Sequence, residues 1–140
     1  MKHFILILFV FTFSIFLSGC KSQQVNYKNI ENKVWILIQL EKETITESNP
    51  SLMFDFTNQR VSGFAGCNQM SASLEMIKEP NSIRISSPVA TRKACLNMNT
   101  ERLLLDKIVL AHFFELNETN RTLQLLDSTG NLLFLFQEGE

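Results

Sequence analysis

Gly63-Phe64-Ala65-Gly66-Cys67-Asn68 is the stretch that decides the fold of this 140-residue chain. Its two glycines bracket Phe64-Ala65, which predicts a place where the backbone bends or approaches another segment closely. Asparagine tolerates a left-handed backbone and also bonds to neighbouring amides. We therefore interpret Asn68 as a structural turn residue, with a binding role as the alternative.

Alternating apolar residues on both sides of this stretch predict β-strands. Leu52 to Phe56 and Arg60 to Phe64 are predicted to form a hairpin that turns at Thr57-Asn58-Gln59. The other predicted strands are Val34 to Leu40, Ser71 to Ile77, Ser82 to Ser86, Thr122 to Leu126 and Leu132 to Phe136. The first of these carries apolar residues on both faces, so both of its faces can be covered.

One segment has the apolar period of a helix, and it runs from Thr100 to Phe114. The apolar residues at this spacing are Leu104, Leu105, Ile108, Val109, Ala111 and Phe113. Asn99 or Thr100 can cap the start of the helix, and Glu101 suits the positive end of its dipole. Strands on both sides of one helix predict an α+β domain with a mainly antiparallel, curled sheet.

The N-terminus carries the signals of a secreted lipoprotein. Basic Met1-Lys2-His3 precedes an apolar run from Phe4 to Leu17, which is shorter than the about 20 residues that a transmembrane helix needs. Leu17-Ser18-Gly19-Cys20 then matches a lipoprotein box. Residues 1–19 are therefore predicted to be a signal peptide, and Cys20 is predicted to carry the lipid.

The rest of the chain is predicted to be a tether followed by one domain. Polar residues 20–31 form the tether, and residues 32–138 form the domain. Because Lys21 rather than Asp follows the lipidated cysteine, we expect anchoring at the outer membrane of the cell envelope, facing the periplasm. The expected partners are the membrane, through the lipid, and an envelope protein, and we expect a monomer.

Cys67 and Cys95 remain once Cys20 is assigned to lipidation. An even pair of cysteines in an oxidising compartment predicts one disulfide. Such a bond closes a loop of about 29 residues and stabilises by about 3.5 kcal/mol in the chain-entropy model. The alternative is a reactive thiol, which needs activation by a histidine, a helix N-terminus or a nearby resolving thiol.

Charge and motifs exclude several function classes. With 13 basic and 14 acidic residues, a net charge of −1 and no basic stripe, nucleic acid is not an expected partner. His112 and Glu115 lie three apart on the predicted helix, but a metal site needs more ligands, so we expect a surface pair. No phosphate loop or serine-histidine-acid set can be assigned, and we expect no cofactor, no metal and no catalytic residue.

A local cationic spot lies at Thr91, Arg92 and Lys93. We interpret it as a solvated loop, and binding of an anionic headgroup or glycan is the alternative.

The motif around Gly63 resembles the signature of the META domain, the HslJ-like family of envelope proteins. The resemblance continues with Glu101 at the start of the helix and covers roughly residues 30–136. Its other matching stretches are Trp35-Ile36-Leu37, Ala90-Thr91-Arg92-Lys93-Ala94-Cys95, and Leu123 and Leu125 before Gly130. The family motif residues are Gly63, Gly66, Asn68 and Thr91. The resemblance implies a small, twisted, barrel-like antiparallel sheet packed on one main helix, no enzyme activity, and a loose link to stress and envelope integrity.

We therefore expect a membrane-anchored envelope lipoprotein with a non-catalytic META domain that serves envelope integrity or the stress response. The alternative is an inhibitor or specific binding protein, in which the loop at residues 63–68 docks into an envelope or extracellular enzyme. An exposed Phe64 would favour the alternative, and a buried Phe64 the first hypothesis. A third hypothesis, a thiol-dependent enzyme, requires a free and exposed thiolate at Cys67.

Overall fold

The computed structural model describes residues 27–140. In this part of the chain, the strands are β1 (Trp35–Leu40), β2 (Glu43–Thr44), β3 (Ser51–Asp55), β4 (Arg60–Phe64), β5 (Gln69–Met76), β6 (Ile83–Ile85), β7 (Val89–Ala90), β8 (Phe113–Asn117), β9 (Thr122–Leu126) and β10 (Leu132–Glu138). The helix α1 is Asn99–Lys107, and 3-10 turns lie at Tyr27–Asn29 and Ile108–Leu110. The predicted signal peptide and Cys20 lie outside the described residues. Within residues 27–140, no helix is long and apolar enough to cross a membrane.

The strands form a nearly closed antiparallel barrel. Their order is β6-β5-β4-β3-β1-β10-β9-β8, with β2 added to β1 and β7 added to β5. The two outer strands of this series meet, because Ile83 N donates to His112 O at 2.8 Å and Phe114 N donates to Asn81 O at 2.9 Å. The predicted α+β fold, with a barrel-like sheet and one main helix, is confirmed.

Strand β1 buries residues of both alternations, because its pairing with β10 is irregular. Trp35 and Leu37 are buried, and an irregularity in the pairing with β10 between Leu37 and Gln39 allows Leu40 to be buried as well. The indole Nε1 of Trp35 donates to the carbonyl of Ile30 at 3.0 Å, which satisfies its polar atom inside the core.

Residues 27–31 are part of the fold rather than of a tether. Ile30 is fully buried, and the ring of Tyr27 packs against Phe56 with a centroid distance of 4.8 Å. The hydroxyl of Tyr27 also donates to the carbonyl of Ser82 at 3.3 Å. The predicted boundary at residue 32 is therefore too late, because apolar side chains before it already enter the core.

The helix prediction from Thr100 to Phe114 is too long. The helix α1 ends at Lys107, and after the 3-10 turn the chain enters β8, which pairs with β9. Phe114 is fully buried, but it reaches the core from a strand. Apolar residues are so dense in this segment that a period of two fits as well as a period of 3.6, and the partner strand decides between them.

The helix start also differs from its prediction. The N-cap residue is Met98, whose side chain forms no capping hydrogen bond. The backbone N–H of Asn99 donates instead to Asn97 Oδ1 at 3.1 Å. Neither Asn99 nor Thr100 therefore acts as the predicted cap, and the carboxylate of Glu101 bonds to groups outside its own helix.

The remaining strands lie close to their predicted bounds. The bounds of β4 and β9 are as predicted, and those of the other predicted strands differ by one or two residues. The strands β2 and β7 were not predicted, because two residues are too few to show a period.

The turn between β9 and β10 is organised by Asp127. Its Oδ1 accepts from the Thr129 hydroxyl at 2.7 Å and from the backbone N–H groups of Thr129 at 2.8 Å and Asn131 at 2.9 Å. These bonds favour the charged carboxylate, and the side-chain bond from Thr129 contributes most to a pKa of Asp127 far below its ordinary value. The sequence-predicted turn at residues 127–131 is thus held by its own first residue.

Candidate functional site

The motif stretch forms the turn between β4 and β5. Ala65 N donates to Asn68 O at 2.8 Å, which closes the turn around Gly66 and Cys67. Gly66 has a φ of +119°, a conformation that residues with a Cβ rarely adopt. Gly66, rather than Asn68, therefore supplies the backbone conformation that the turn needs.

Gly63 is required for a different reason, the close approach of β3. A Cβ on Gly63 would lie 1.9 Å from the carbonyl oxygen of Ser51 and 2.9 Å from the Cα of Leu52. Both of these atoms belong to the backbone, so neither can move away by a change of rotamer. The two glycines of the motif thus serve a close approach and a bend, respectively.

Glu101 joins the turn to the first turn of α1. Its side chain is buried, and its Oε2 accepts from the backbone N–H of Cys67 at 3.0 Å and of Asn68 at 2.6 Å. Its Oε1 accepts from Asn68 Nδ2 at 2.8 Å. The carboxylate therefore satisfies two N–H groups of a turn rather than the N-terminus of its own helix.

Asn68 extends the same network to the segment that follows β7. Asn68 is only 1% exposed. Its Oδ1 accepts from the Thr91 hydroxyl at 2.7 Å and from Lys93 N at 2.7 Å. Its Nδ2 donates to Glu101 and also to Lys93 O at 3.2 Å. The amide thus uses both donors and both acceptor positions, which is its full bonding capacity.

Thr91 and the disulfide complete the network. Thr91 Oγ1 accepts from Gln69 N at 3.2 Å, and Thr91 N donates to Gln69 O at 3.0 Å. Cys67 and Cys95 are bonded to each other, with their Cα atoms 6.1 Å apart. We call Cys67, Asn68, Thr91, Cys95 and Glu101 the clasp, because together they join the turn, the helix and residues 91–95.

The clasp has little capacity left for chemistry. Both thiols are used in one bond, and the polar atoms of Asn68 and Glu101 are all engaged within the protein. Within residues 27–140, no buried side-chain nitrogen or oxygen lacks a hydrogen-bond partner. A nucleophile or general base must reach a substrate, whereas Asn68 and Glu101 are buried and hydrogen-bonded within the protein and both thiols are oxidised.

The other candidates lie elsewhere. His112 and Glu115 do not share a helix: His112 precedes β8, where its Nε2 lies 3.6 Å from Glu79 Oε2, and Glu115 is exposed in β8. Among the described residues, no group of three or more histidine, cysteine, aspartate or glutamate side chains could hold a metal. Phe64 is half-buried, so its exposure favours neither of the first two hypotheses.

Comparison with protein families identifies the family of this chain. A family model of the META domain matches residues 28–140. The chain belongs to the META domain family. The resemblance noted at the motif stretch is thereby confirmed, and it extends through almost all of the described chain. No curated protein matches the sequence significantly.

Two solved structures share the fold of this META domain. An NMR structure of a protein from Burkholderia xenovorans has a TM-score of 0.60 at 17% identity, covering 80% of this chain and 85% of that chain. A crystal structure of a DUF4847 family protein from Bacteroides vulgatus has a TM-score of 0.55 at 8% identity, covering 77% and 93%, respectively. At such identities, the likeness shows the fold alone.

Glu101 is the residue of this META domain whose role sequence reasoning missed. The sequence placed it at a helix start, where an acidic side chain suits the dipole. Its actual partners are the turn amides, which lie 33 and 34 residues earlier in the chain. The available signal was the resemblance, which includes Glu101 together with the Gly-Cys-Asn turn.

Removal of the disulfide is expected to lower the stability of the META domain substantially. With both Cys67 and Cys95 replaced by Ala, we expect a loss of about 3.5 kcal/mol in the free energy of unfolding, because the unfolded chain is no longer cross-linked. Urea unfolding followed by the fluorescence of Trp35, the single tryptophan, measures the change. A reductant should destabilise the wild type by a similar amount and leave the double variant unchanged. Equal stability of the oxidised and reduced wild type would contradict the prediction.

Proposed function

We propose that this protein is a lipid-anchored envelope lipoprotein whose META domain is a non-catalytic module, acting in envelope integrity or the stress response. The observation that carries the proposal is the clasp. Its polar groups and both cysteines bond within the protein and hold together the turn, the helix and residues 91–95. Residues that are fully bonded within the protein favour a structural role for the motif over a catalytic one. A thiol-dependent activity is disfavoured because neither thiol of the clasp is free.

The proposed location rests on the N-terminal sequence and on the disulfide. The basic start, the apolar run and the lipoprotein box ending at Cys20 are typical of secreted lipoproteins. Disulfides persist in oxidising compartments such as the periplasm, and the Cys67–Cys95 bond fits such a location. We place the anchor at the outer membrane, with the domain in the periplasm.

Fatty-acid labelling tests the anchor. We expect the full chain to incorporate an alkyne-tagged fatty acid in its native cells, and Cys20→Ser to lose the label and to keep residues 1–19. Ser22→Ala, two residues away, is the matched control and should be labelled as the wild type is. A labelled Cys20→Ser variant, or an unlabelled wild type, would refute the proposed anchor.

A second candidate is a specific binding protein. The loop at residues 63–68 is a poor docking element, because its polar groups face the clasp and Phe64 is half-buried. Exposed apolar side chains lie instead at Val89 and Leu96, on the segment that the clasp holds in place. For a binding protein, we therefore expect the partner to contact this neighbouring surface rather than the motif loop.

A further inference from the structure

The segment at residues 88–94 has a free backbone edge. It lies beside β5, where Ala90 pairs with Met70 and Thr91 N donates to Gln69 O. Backbone groups of a strand alternate in direction, so Ala90 in β7 directs its N–H and C=O away from β5. Arg92 N donates to no acceptor within residues 27–140. Such an edge can accept an added strand from another chain.

A groove runs along this edge. It has a volume of about 600 Å³ and lies between residues 88–94 and the start of α1. Val89, Met98 and Leu105 supply its apolar lining, and Val89 is 73% exposed. Leu96, just beyond the segment, is fully exposed. Apolar side chains grouped in this way next to a free edge are typical of peptide-binding surfaces.

The groove is flanked by cations. Arg92 and Lys93 line it, and Arg102 lies on the adjacent face of α1. These three side chains form no ion pair within the described part of the chain. Of the nearby acidic groups, Glu101 is engaged in the clasp, and Asp106 lies one helical turn after Arg102 on the same face and outside the lining of the groove. The surface therefore favours an acidic ligand.

The groove lies at the end of the barrel opposite to the N-terminus of the described chain. Tyr27 bonds to Ser82, beyond the end of β5, whereas the clasp lies at the start of β5. From Gln69 to Met76, β5 covers seven residue steps and spans about 24 Å. The chain from Cys20 to Tyr27 also covers seven steps, so only a fully extended tether, about 25 Å long, would reach back along the length of β5. An anchor at Cys20 thus favours a groove that faces away from the membrane, and hence a protein ligand rather than a lipid.

We infer that the META domain binds an extended acidic segment of a partner protein, which adds as a strand alongside residues 88–94. Backbone hydrogen bonds to the edge provide affinity, and alternate apolar side chains of the segment enter the groove. Acidic side chains on the opposite alternation meet Arg92, Lys93 and Arg102. This inference rests on the proposed role as a non-catalytic envelope module and gives that module its class of partner.

Photo-cross-linking in native cells tests the inference on the full chain. A benzophenone amino acid at position 89 is expected to cross-link to a protein, and mass spectrometry of the adduct should identify a peptide rich in Asp and Glu with alternating apolar residues. The same amino acid at Met76, which is also exposed but lies at the other end of β5, should not give this adduct.

Charge reversal provides the matched control. Arg92→Glu with Lys93→Glu should lower the yield of the adduct about tenfold, which corresponds to about 1.4 kcal/mol. Lys42→Glu with Lys78→Glu changes the net charge equally at exposed sites elsewhere and should leave the yield unchanged. A lipid adduct, a second copy of this chain, a peptide without acidic residues, an unaffected yield or no adduct would each overturn the inference. Fatty-acid labelling at Cys20 is measured separately. Absence of lipidation is thereby distinguished from absence of peptide binding in the groove.

Discussion

Gly63→Ala is expected to destabilise the domain by about 4 kcal/mol or more, a large part of the 5–15 kcal/mol typical of a folded domain. The added Cβ would lie 1.9 Å from the carbonyl oxygen of Ser51. Because Gly63 is paired with Leu52, relief of this clash requires β3 and β4 to separate inside the barrel. Urea unfolding, followed by the fluorescence of buried Trp35, measures the loss.

Two variants separate this clash from other effects of substitution. Gly130→Ala places its Cβ in open space, so it is expected to cost only the strain of a φ of +86°, about 1 kcal/mol. Ser62→Ala, next to Gly63 in β4, should change the stability by less than about 0.5 kcal/mol. If Gly63→Ala were no more destabilising than Gly130→Ala, the close approach of β3 and β4 would not be the reason for the glycine.

The sequence predicted the fold well where the apolar pattern had one interpretation. The strands β4 and β9 alternate cleanly between turn residues, and their bounds are as predicted. The helix predicted from Thr100 to Phe114 was wrong after Lys107, because the dense apolar residues there satisfy both helical and strand periods. In that segment, the secondary structure is determined by the pairing of β8 with β9. This contact is non-local, so no local sequence pattern contains it.

The candidate site was predictable in its residues but not in its connections. Cysteine counting and the oxidising compartment were enough to pair Cys67 with Cys95, and the glycine pattern located the turn. The bonds of Asn68 to Thr91, Lys93 and Glu101 span 23 to 33 residues of sequence. A single sequence does not specify which distant side chain a buried amide meets, so the clasp emerges only from the fold.

Glu101→Ala is expected to destabilise the domain by about 3 kcal/mol, because it leaves the buried N–H groups of Cys67 and Asn68 without an acceptor. Glu101→Gln keeps one acceptor oxygen but presents an amide where a second acceptor is needed, so we expect an intermediate loss of about 1.5 kcal/mol. Asp106→Asn, an exposed carboxylate on the same helix, is the control and should cost less than about 0.5 kcal/mol. Urea unfolding of the three variants at one pH provides the comparison.

A double-mutant cycle then shows whether Glu101 acts through Asn68. In Asn68→Ala, the bonds to Thr91 and Lys93 are lost together with one bond to Glu101. Because the two side chains share one buried network, the double variant should be more stable than the sum of the single losses implies, by about 1–2 kcal/mol. Additive losses, within about 0.5 kcal/mol, would mean that the Glu101 carboxylate stabilises the turn only by its bonds to the backbone N–H groups of Cys67 and Asn68. In that case, Asn68 would hold residues 91–93 independently, and the clasp would be two separate contacts rather than one unit.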